Sequence, residues 1–577
     1  MRRRVLVAIG VLASLSPRSP TPDEGLAADL RFIGGPDAAT WHRAADGAGL
    51  VVAALSAVVA VGVALGRPSH LPAVLWLGAA LAVGVRYGVG RLPELLATAR
   101  RSAALGLAPA LVARMALRMR VEPTPEAAVD AGREIDGPLG AALDRHARAA
   151  TGTGRTGLRA FAEEWHTVFP ALGRACSLLR VAAASSPDRR DGALDRATDA
   201  VLEGTRDRAA SFATALRGPA AALYAFGVLL PTALVGVLPA ARAAGLGVGL
   251  ALLAVLYDLV LPGTLCVAGA WLVARRPVAF PARAVPRSHP DRHPWRRSAG
   301  LGVGAGLAAG GLGWIVLAPW FAPVAGLGVG AGVGLTDQFR PVVAVRGRVR
   351  ELERGLPDAL AAVGGRVADG TAVERALAEA ADRLDDPVGP FLARGADRGA
   401  RLGTGVEASF ADALATLPSD RATRAVSLFG LAAREGPPAG DPLVRWADHL
   451  ERLDEVEREA RRDVARVAGT LSNTAAVFGP LVAGVTVGLA GRLADGTARS
   501  AGEVAVPGAT TATTLPVGGL GLVVGGYVLW SAAALPAIAV GLERGFDPAV
   551  VGRRIGRTLP VAAATFGAAY ALTTVAA

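Results

Sequence analysis

The sequence predicts an all-α polytopic membrane protein, and three observations carry that prediction. Hydrophobic residues make up 52% of the 577 residues, and the mean hydropathy of +0.40 lies outside the usual soluble range. Nine apolar runs approach or exceed the length that crosses a bilayer. No alternation of period two, as strands would need, persists anywhere in the chain.

The nine predicted spans follow from run length, because about 20 helical residues are needed to cross roughly 30 Å of hydrocarbon. They are 50–66, 71–90, 217–239, 245–274, 298–316, 319–335, 467–491, 515–542 and 559–577. The first and sixth are short, and the last ends without a polar flank, so these three are the weakest predictions.

Arginine placement orients the spans. The chain has no lysine, so arginine carries its net charge of +12. Arginines concentrate in the loops 275–297 and 543–557, and the positive-inside rule places both in the cytoplasm. We therefore expect a cytoplasmic-membrane protein with its N-terminus inside. Topology explains the basic composition better than nucleic-acid binding does.

The first 16 residues have two interpretations. Three arginines followed by an apolar stretch are typical of a signal peptide, but they also fit a short interfacial or buried helix. We favour the helix, because 17–49 reads as a short polar linker and not as the start of a mature domain.

Two long polar stretches, 92–216 and 336–466, are predicted to be helical cytoplasmic domains. In 357–384, apolar residues recur at intervals of three and four, which is the pattern of one helix face. Thr371 and Glu374 have capping-box spacing, which predicts a helix start. The charged segment 452–466 leads directly into a predicted span, so it is placed to transmit movement into the membrane.

Similar phrases recur in the two halves at a nearly constant offset. DGPLGAALDR (136–145) recurs as DDPVGPFLAR (385–394), FAEEW (161–165) as FADAL (410–414), SLLRVAAASSP (177–187) as SLFGLAAREGP (427–437), and FGVLLPTALVG (226–236) as FGPLVAGVTVG (478–488). Ordered matches of this kind predict a tandem duplication. Each copy has four spans, an even number, so both copies enter the membrane with the same orientation.

Several catalytic classes lack their motifs. A Walker A loop requires a lysine, and the seven histidines form no HExxH. No GxSxG elbow stands out. The two cysteines, Cys176 and Cys266, suggest neither a metal site nor a disulfide framework. We expect no enzyme activity, no metal and no cofactor.

Asp258 is the clear case of a charge inside a predicted span. It is either a proton or ion site, or it lies where the span breaks into two pieces near Pro262 and Gly263. The break is favoured, because a secondary transporter would show several such groups near the midplane.

These features together resemble a known family. LPDALAAVGGRVADGTAVERALAEAA (356–381), GVEASFADAL (405–414) and SLFGLAAREG (427–436), followed by a charged helix that enters an apolar span, resemble the type II secretion system F domain. Two such domains with flanking spans resemble the archaeal platform proteins of type IV pili and archaella. The resemblance covers about 90–275 and 340–545, and it is clearer in the second copy.

The resemblance implies a non-enzymatic platform that couples a cytoplasmic hexameric secretion ATPase to pilin extraction and filament assembly. Implied partners are that ATPase, pilin-like subunits and membrane lipid; a homodimer is left open, and no nucleic acid is implied. Motif matches imply structural positions, described as turn glycines and a helix-start proline: Pro357, Gly370, Gly403, Glu435 and Gly436. The alternative function is a secondary transporter with parallel internal repeats.

Membrane-proximal arginines are the candidate ATPase-docking residues. They are Arg346, Arg348, Arg350 and Arg354 after the sixth span, and Arg283, Arg287, Arg292, Arg296 and Arg297 in the basic loop. The competing interpretation is that they fix topology and meet anionic lipid headgroups, at about 1 kcal/mol each.

The predicted domain order has six parts. They are an N-terminal segment 1–49, a transmembrane pair 50–91, a first F-type domain 92–216, transmembrane helices 217–335 with the basic loop 275–297, a second F-type domain 336–466, and C-terminal transmembrane helices 467–577.

Overall fold

The computed structural model is helical wherever it describes the chain. The described residues are 3–16, 23–66, 71–135, 137–151, 157–243, 249–276, 293–385, 387–503, 516–545 and 547–575. They contain no strand, and nine of their helical stretches are long and apolar enough to cross a membrane. Each predicted span overlaps one of those nine stretches, with 245–248, 515 and 576–577 outside the described residues, so the all-α, multi-pass class is confirmed.

The chain divides into two compact units. The first comprises Met1–Leu105 with Gly269–Ala279, and the second comprises Gly106–Ala268 with Phe280–Ala577. In the first unit, the helices are α1 (Arg3–Ser14), α2 (Glu24–Ile33), α3 (Ala38–Gly66) and α4 (Leu71–Leu105). The prediction of a polar linker at 17–49 is wrong, because α2 and the start of α3 occupy much of it.

The first unit has its own apolar core, and α1 contributes to it. Ile9 and Ala13 of α1 are buried with Leu30 of α2 and Trp41 of α3. The indole N–H of Trp41 donates to the carbonyl of Val89, 2.9 Å away. The opening residues are therefore helical, with Ile9 and Ala13 packed on this core and Leu6, Val7 and Val11 exposed. The choice of a structural helix over a signal peptide stays a prediction.

The first polar region of the second unit is a set of amphipathic helices. These are α5 (Ala108–Val121), α6 (Pro125–Arg133), α7 (Pro138–Ala150), α8 (Gly157–His166), α9 (Pro170–Ala183) and the long α10 (Pro187–Tyr224). Prolines sit in the first turn of five of them, where the missing N–H costs no helical hydrogen bond. Leu111, Met115, Leu139 and Phe161 are fully buried between these helices.

A helical hairpin with close backbone contact follows. The helices after α10 are α11 (Leu230–Ala243), α12 (Leu250–Val255), α13 (Leu261–Ala274) and α14 (Trp295–Val316), and α15 runs from Ala322 to Ala368. A Cβ on Gly302 or Gly306 of α14 would lie 2.8 Å from a carbonyl oxygen of α15. Only glycine permits this approach, which lets the two glycine-rich spans pack with their backbones in close contact.

The second polar region resembles the first in its helix order. Its helices are α16 (Val373–Ala381), α17 (Val388–Leu402), α18 (Val406–Ser409), α19 (Ala411–Thr416), α20 (Asp420–Glu435) and the long α21 (Gly440–Asn473). Leu360, Phe391, Phe410 and Phe429 are fully buried in its core. The C-terminal spans are α22 (Gly479–Glu503), α23 (Val517–Arg544) and α24 (Pro548–Val575).

Two local predictions in this region are wrong. The capping box does not form, because α16 begins after Ala372 and has no side-chain cap. Pro357 does not start a helix, since it lies buried inside the 47-residue α15. Continuity of α15 with the preceding span overrides the local signal of the proline.

Long helices cross every predicted border between a polar domain and a span. α4 passes through 91–92, α10 through 216–217, α15 through 335–336 and α21 through 466–467. The predicted continuation of the charged segment 452–466 into a span is therefore confirmed.

Three π turns interrupt these helices, and a proline follows each at the same distance. The turns are 225–229, 256–260 and 474–478, and the prolines are Pro231, Pro262 and Pro480. Proline has no N–H and its ring collides with the carbonyl four residues back. In each case the residue before the proline instead donates to the carbonyl five residues back. The span with Asp258 is therefore widened, and the predicted break near Gly263 is wrong.

A tyrosine hydroxyl satisfies one of the freed carbonyls. Pro231 cannot donate to the carbonyl of Gly227, and the hydroxyl of Tyr527 on α23 donates to it instead. Tyr257 donates to the carbonyl of Pro231 and meets the Tyr527 ring edge-on at 5.5 Å. In hydrocarbon, where water is absent, such donors replace the lost helical bond.

Replacing Tyr527 with Phe should lower the free energy of unfolding by about 1 kcal/mol, because the Gly227 carbonyl loses its donor. Reversible denaturant unfolding in mixed micelles measures this. Tyr570→Phe is the matched control, since the Tyr570 hydroxyl makes no hydrogen bond to the described residues. Equal losses in the two variants would contradict the role given to Tyr527.

Candidate functional site

Helices α10 and α21 form a charged pair at the centre of the second unit. Leu202 of α10 packs against Leu453 and Val456 of α21 in a small apolar cluster. Ion pairs flank it: Arg206–Glu455 at 3.1 Å, Arg452–Asp199 at 3.0 Å and Arg445–Asp191 at 3.1 Å. The paired residues are separated by a nearly constant 249 to 254 positions in sequence. Residues therefore follow one another in the same order along both helices, which means that α10 and α21 are parallel.

A buried arginine joins α20 to α21. Arg421 forms ion pairs with Asp454 and, at 2.7 Å, with Glu457, and its side chain is 15% exposed. Burial alone would lower the pKa of Arg421, but the carboxylates of Glu457 and Asp454 outweigh desolvation and raise it. The guanidinium is therefore fixed in its charged form at the base of the second polar region.

A cavity of about 380 Å³ opens beside this arginine. It lies between α15, α20 and α21, the junction of α23 with α24, and the start of α5. Its charged lining consists of Arg346, Arg350, Arg354, Arg421, Arg424, Arg458, Arg461 and Arg544, with Glu353, Asp420, Asp454, Glu457 and Asp547. Eight arginines face five carboxylates, so the cavity carries an excess of positive charge.

Four of the five carboxylates of the cavity are engaged by partner side chains. Asp547 pairs with Arg346, and Glu353 accepts a hydrogen bond from Ser419 at 2.5 Å. Meanwhile Arg350, Arg461 and Arg544 come from three different helices and lie close enough to repel one another. Arg461 is itself paired with Glu457 at 3.2 Å. We call these three guanidinium groups the positive centre, because the lining holds eight arginines and only five carboxylates.

His449 lines the same cavity with both ring nitrogens buried and without a hydrogen-bond partner among the described residues. Its ring lies against Trp446, with centroids 5.4 Å apart. Burial, aided by the charges of Arg421 and Arg452, lowers the pKa of His449 to about 4. The imidazole is therefore neutral at physiological pH, with one N–H donor and one acceptor.

The structure separates the predicted docking arginines of α15 into two environments. Arg346 is mostly buried in its ion pair with Asp547, and Arg350 lines the cavity while its Nε donates to the Arg346 carbonyl at 3.2 Å. Arg348 is exposed outside the cavity, and Arg354 is exposed although it also lines the cavity. The four arginines of α15 therefore do not form one continuous docking surface. Docking through the two exposed arginines, Arg348 and Arg354, stays a prediction.

The predicted arginines of the basic loop fall partly outside the described residues. Arg283, Arg287 and Arg292 lie there. Arg296 and Arg297 are exposed in the first turn of α14, where Arg296 lies over the Trp295 ring at 5.9 Å. An exposed tryptophan beside two arginines is typical of a helix end at a membrane interface.

The motif positions implied by the family resemblance take structural roles. Gly370, Gly403 and Gly436 have φ values of 88°, 61° and 71°, which only glycine adopts readily. Each ends a helix of the second polar region or lies in the turn after it. Glu435 is the exposed last residue of α20, next to Gly436. The prediction of turn glycines is confirmed.

Asp258 is exposed on its span, within the π turn that precedes Pro262. It forms no ion pair with any described residue, although its carboxylate lies near Gly526 of α23. Within the same described ranges, no group of three or more His, Cys, Asp or Glu side chains could hold a metal ion.

Sequence reasoning missed Arg421, His449, Arg544 and Asp547. Arg421 meets Asp454 from 33 residues away and Asp547 meets Arg346 from 201 residues away, while His449 and Arg544 join them only through the packing of distant helices. Spacing along one helix therefore gave no signal. The one available hint was the pair of basic segments at 340–357 and 543–557, which the fold brings together at the cavity.

Comparison with known proteins gives no relative: no protein-family model matches the chain, and neither a curated protein nor a solved structure does.

Removal of the Arg421 guanidinium should destabilise the protein strongly. Arg421→Met leaves buried carboxylates uncompensated, and we expect a loss of about 3–5 kcal/mol. The matched control is Arg445→Met, which removes the same charge from a half-exposed ion pair with Asp191 and should cost about 0–1 kcal/mol. Thermal and denaturant unfolding of both purified variants gives the comparison; similar losses would show that the Arg421 network is not a structural anchor.

Proposed function

We propose that the protein is a membrane platform that couples a cytoplasmic hexameric secretion ATPase to the extraction and assembly of pilin-like subunits. The observation that carries the proposal is the continuity of helix from polar region to span. α10 continues through a π turn into α11, α21 does the same into α22, and α15 runs from span to polar region without interruption.

Helix continuity matters because it removes the hinge. A flexible linker would let a polar domain move without its span, whereas an unbroken helix converts the domain's rotation or shift into tilt or rotation of the span. Each long helix is held in the polar region by apolar packing, as in the cluster of Leu202, Leu453 and Val456. A partner that pushes on the polar regions would thereby move the membrane helices, which is what a filament platform must do.

We further propose that the two halves are a tandem duplication with parallel orientation. Equivalent elements keep one offset: π turns 225–229 and 474–478 are 249 residues apart, as are Pro231 and Pro480. Gly140 and Gly389, again 249 apart, each sit where a Cβ would clash with the carbonyl five residues earlier. Arg206 pairs with Glu455, its own counterpart at that offset, which is expected of two copies related by a twofold axis along the membrane normal.

The orientation that suits this function places both polar regions in the cytoplasm, where the ATPase would be. The arginine-rich segments support it through the positive-inside rule. In that arrangement, the exposed Arg348 and Arg354 lie on the cytoplasmic side, in the part of α15 that follows its span. We propose these exposed arginines, and not the buried Arg346, as the docking contacts.

The transporter alternative is less well supported. A midplane transport site needs several polar or charged groups that converge. Asp258 is exposed and has no ion-pair partner in the described part of the chain. The two polar regions would also have no evident task in transport.

The docking proposal predicts that Arg348→Glu combined with Arg354→Glu weakens ATPase binding roughly tenfold or more, because like charges then oppose each other at the interface. Pull-down or interferometry with the purified cognate ATPase and detergent-solubilised full chain measures the affinity. Binding of the parent should weaken with salt, since exposed charges are screened over about 10 Å at 0.1 M.

The matched control reverses two other exposed arginines of the same region, Arg383→Glu and Arg394→Glu, which lie away from the membrane-proximal part of α15. This variant should bind like the parent. If the Arg348/Arg354 variant bound the ATPase with unchanged affinity and without salt dependence, the docking proposal would be wrong. An equal loss of affinity in both variants would show a general effect of charge and no specific docking surface.

A further inference from the structure

We propose that the 380 Å³ cavity between α15, α20, α21 and the α23–α24 junction binds the phosphate group of a phosphate ester. The positive centre of Arg350, Arg461 and Arg544 would hold the phosphate oxygens, and His449 would donate its N–H. This inference concerns a ligand of the protein itself and does not depend on the platform function.

Charge is the first argument. Guanidinium groups repel one another, so placing three of them from different helices close together is electrostatically unfavourable unless an anion lies between them. Glu457 pairs with Arg461 as well as with Arg421, Asp454 pairs with Arg421, and Asp547 pairs with Arg346. Eight arginines share five carboxylates in the lining, so the cavity keeps an excess of positive charge even though Glu543 and Asp547 lie near Arg544. Arginine's planar fork of donors matches phosphate oxygens.

Buried polar atoms are the second, independent argument. His449 is 8% exposed, yet neither ring nitrogen has a partner among the described residues, and Nε of Arg346 is likewise buried and unpartnered. Buried polar groups in folded proteins are nearly always hydrogen-bonded. Both residues line the cavity, although the nitrogens themselves expose almost no surface to it. Binding of an oxygen-rich ligand would therefore include a small shift of these side chains that brings the donors to the ligand oxygens.

The backbone adds a further donor set. The start of α5 lines the cavity through Gly106, Leu107 and Ala110, and Leu107 caps that 14-residue helix without a side-chain bond. The N-terminal N–H groups of a helix favour anions. Helix α5 therefore complements the arginines from the opposite wall.

Size and position narrow the ligand class. A bare phosphate ion is small compared with 380 Å³, whereas a glycerophosphate headgroup or a small phosphorylated metabolite fits that volume. Arg544 is the last residue of the span helix α23, and Arg350 follows the span part of α15. The shared chemistry is a phosphate ester, supplied either by a lipid headgroup at the membrane surface or by a soluble compound.

The test uses the full-length protein, purified in detergent and stripped of lipid. Sodium phosphate and glycerol 3-phosphate are titrated by calorimetry, and dioleoyl phosphatidylglycerol is titrated by native mass spectrometry, with dioleoylglycerol as the phosphate-free lipid. The variant Arg350→Gln with Arg544→Gln should lose at least about tenfold in affinity, because two charged donors to the phosphate oxygens are removed. The matched control Arg348→Gln, on the same helix but outside the cavity, should bind like the parent.

Binding of glycerol 3-phosphate identifies a soluble phosphate ester, and binding of phosphatidylglycerol without the soluble compounds identifies a lipid headgroup. Either supports the site. No binding by the parent, equal binding of phosphatidylglycerol and dioleoylglycerol, or equal binding by parent and double variant would overturn it.

A second variant separates binding from folding. His449→Leu removes a buried, unpartnered ring and should leave the melting temperature of the ligand-free protein unchanged or higher. Its ligand affinity should nevertheless fall several-fold, because the phosphate loses a donor. If the arginine variant fails to fold, this variant decides the matter, and unchanged affinity in it would overturn the proposal.

Discussion

The absence of water in the hydrocarbon layer governs the architecture of this protein, because every backbone N–H and C=O there must find its partner inside the chain. A chain that is 52% hydrophobic can meet that demand with helices, and the described residues contain nothing else beyond turns and connections. Three prolines within the helices show how this requirement is met where a backbone donor is missing. Each of Pro231, Pro262 and Pro480 removes a donor, and each time the helix widens to a π turn and does not break. Where one carbonyl is still left over, at Gly227, the hydroxyl of Tyr527 reaches it from another span.

Because the helices do not break, each polar region and the span next to it are parts of the same continuous helix. This puts charged side chains where α15, α21 and α23 leave the membrane and approach one another. Some charges are neutralised in pairs, as Arg346 with Asp547 and Arg421 with two carboxylates, and these pairs fix the helices relative to one another. The excess that is not neutralised gathers in the cavity beside His449. The platform and the phosphate site proposed here thus arise from one cause, the convergence of continuous charged helices just outside the apolar layer.

Much of the fold could be read from the sequence, since run length and helical periodicity are local properties. The nine candidate spans of the described residues were predictable in this way. Local signals failed where a longer-range constraint overrode them: Pro357 reads as a helix start but lies within α15, and Thr371 reads as a cap beside a helix that begins at Val373. The candidate site was the least predictable part. Arg421 and Asp454, or Arg346 and Asp547, meet only because distant helices pack together, and no spacing along the chain encodes that meeting.

The central claim is that each polar region and its span form one unbroken helix. Hydrogen exchange of the detergent-solubilised full chain tests this claim most directly. Amide exchange is followed by mass spectrometry through 452–486, where α21 passes through its π turn into α22, and through the counterpart 203–237. A continuous helix predicts slow exchange across both segments, with only the π turns slightly faster, because every amide except those of the prolines is hydrogen-bonded. A stretch of several freely exchanging amides near 466–467 or 216–217 would reveal a hinge and would contradict the account.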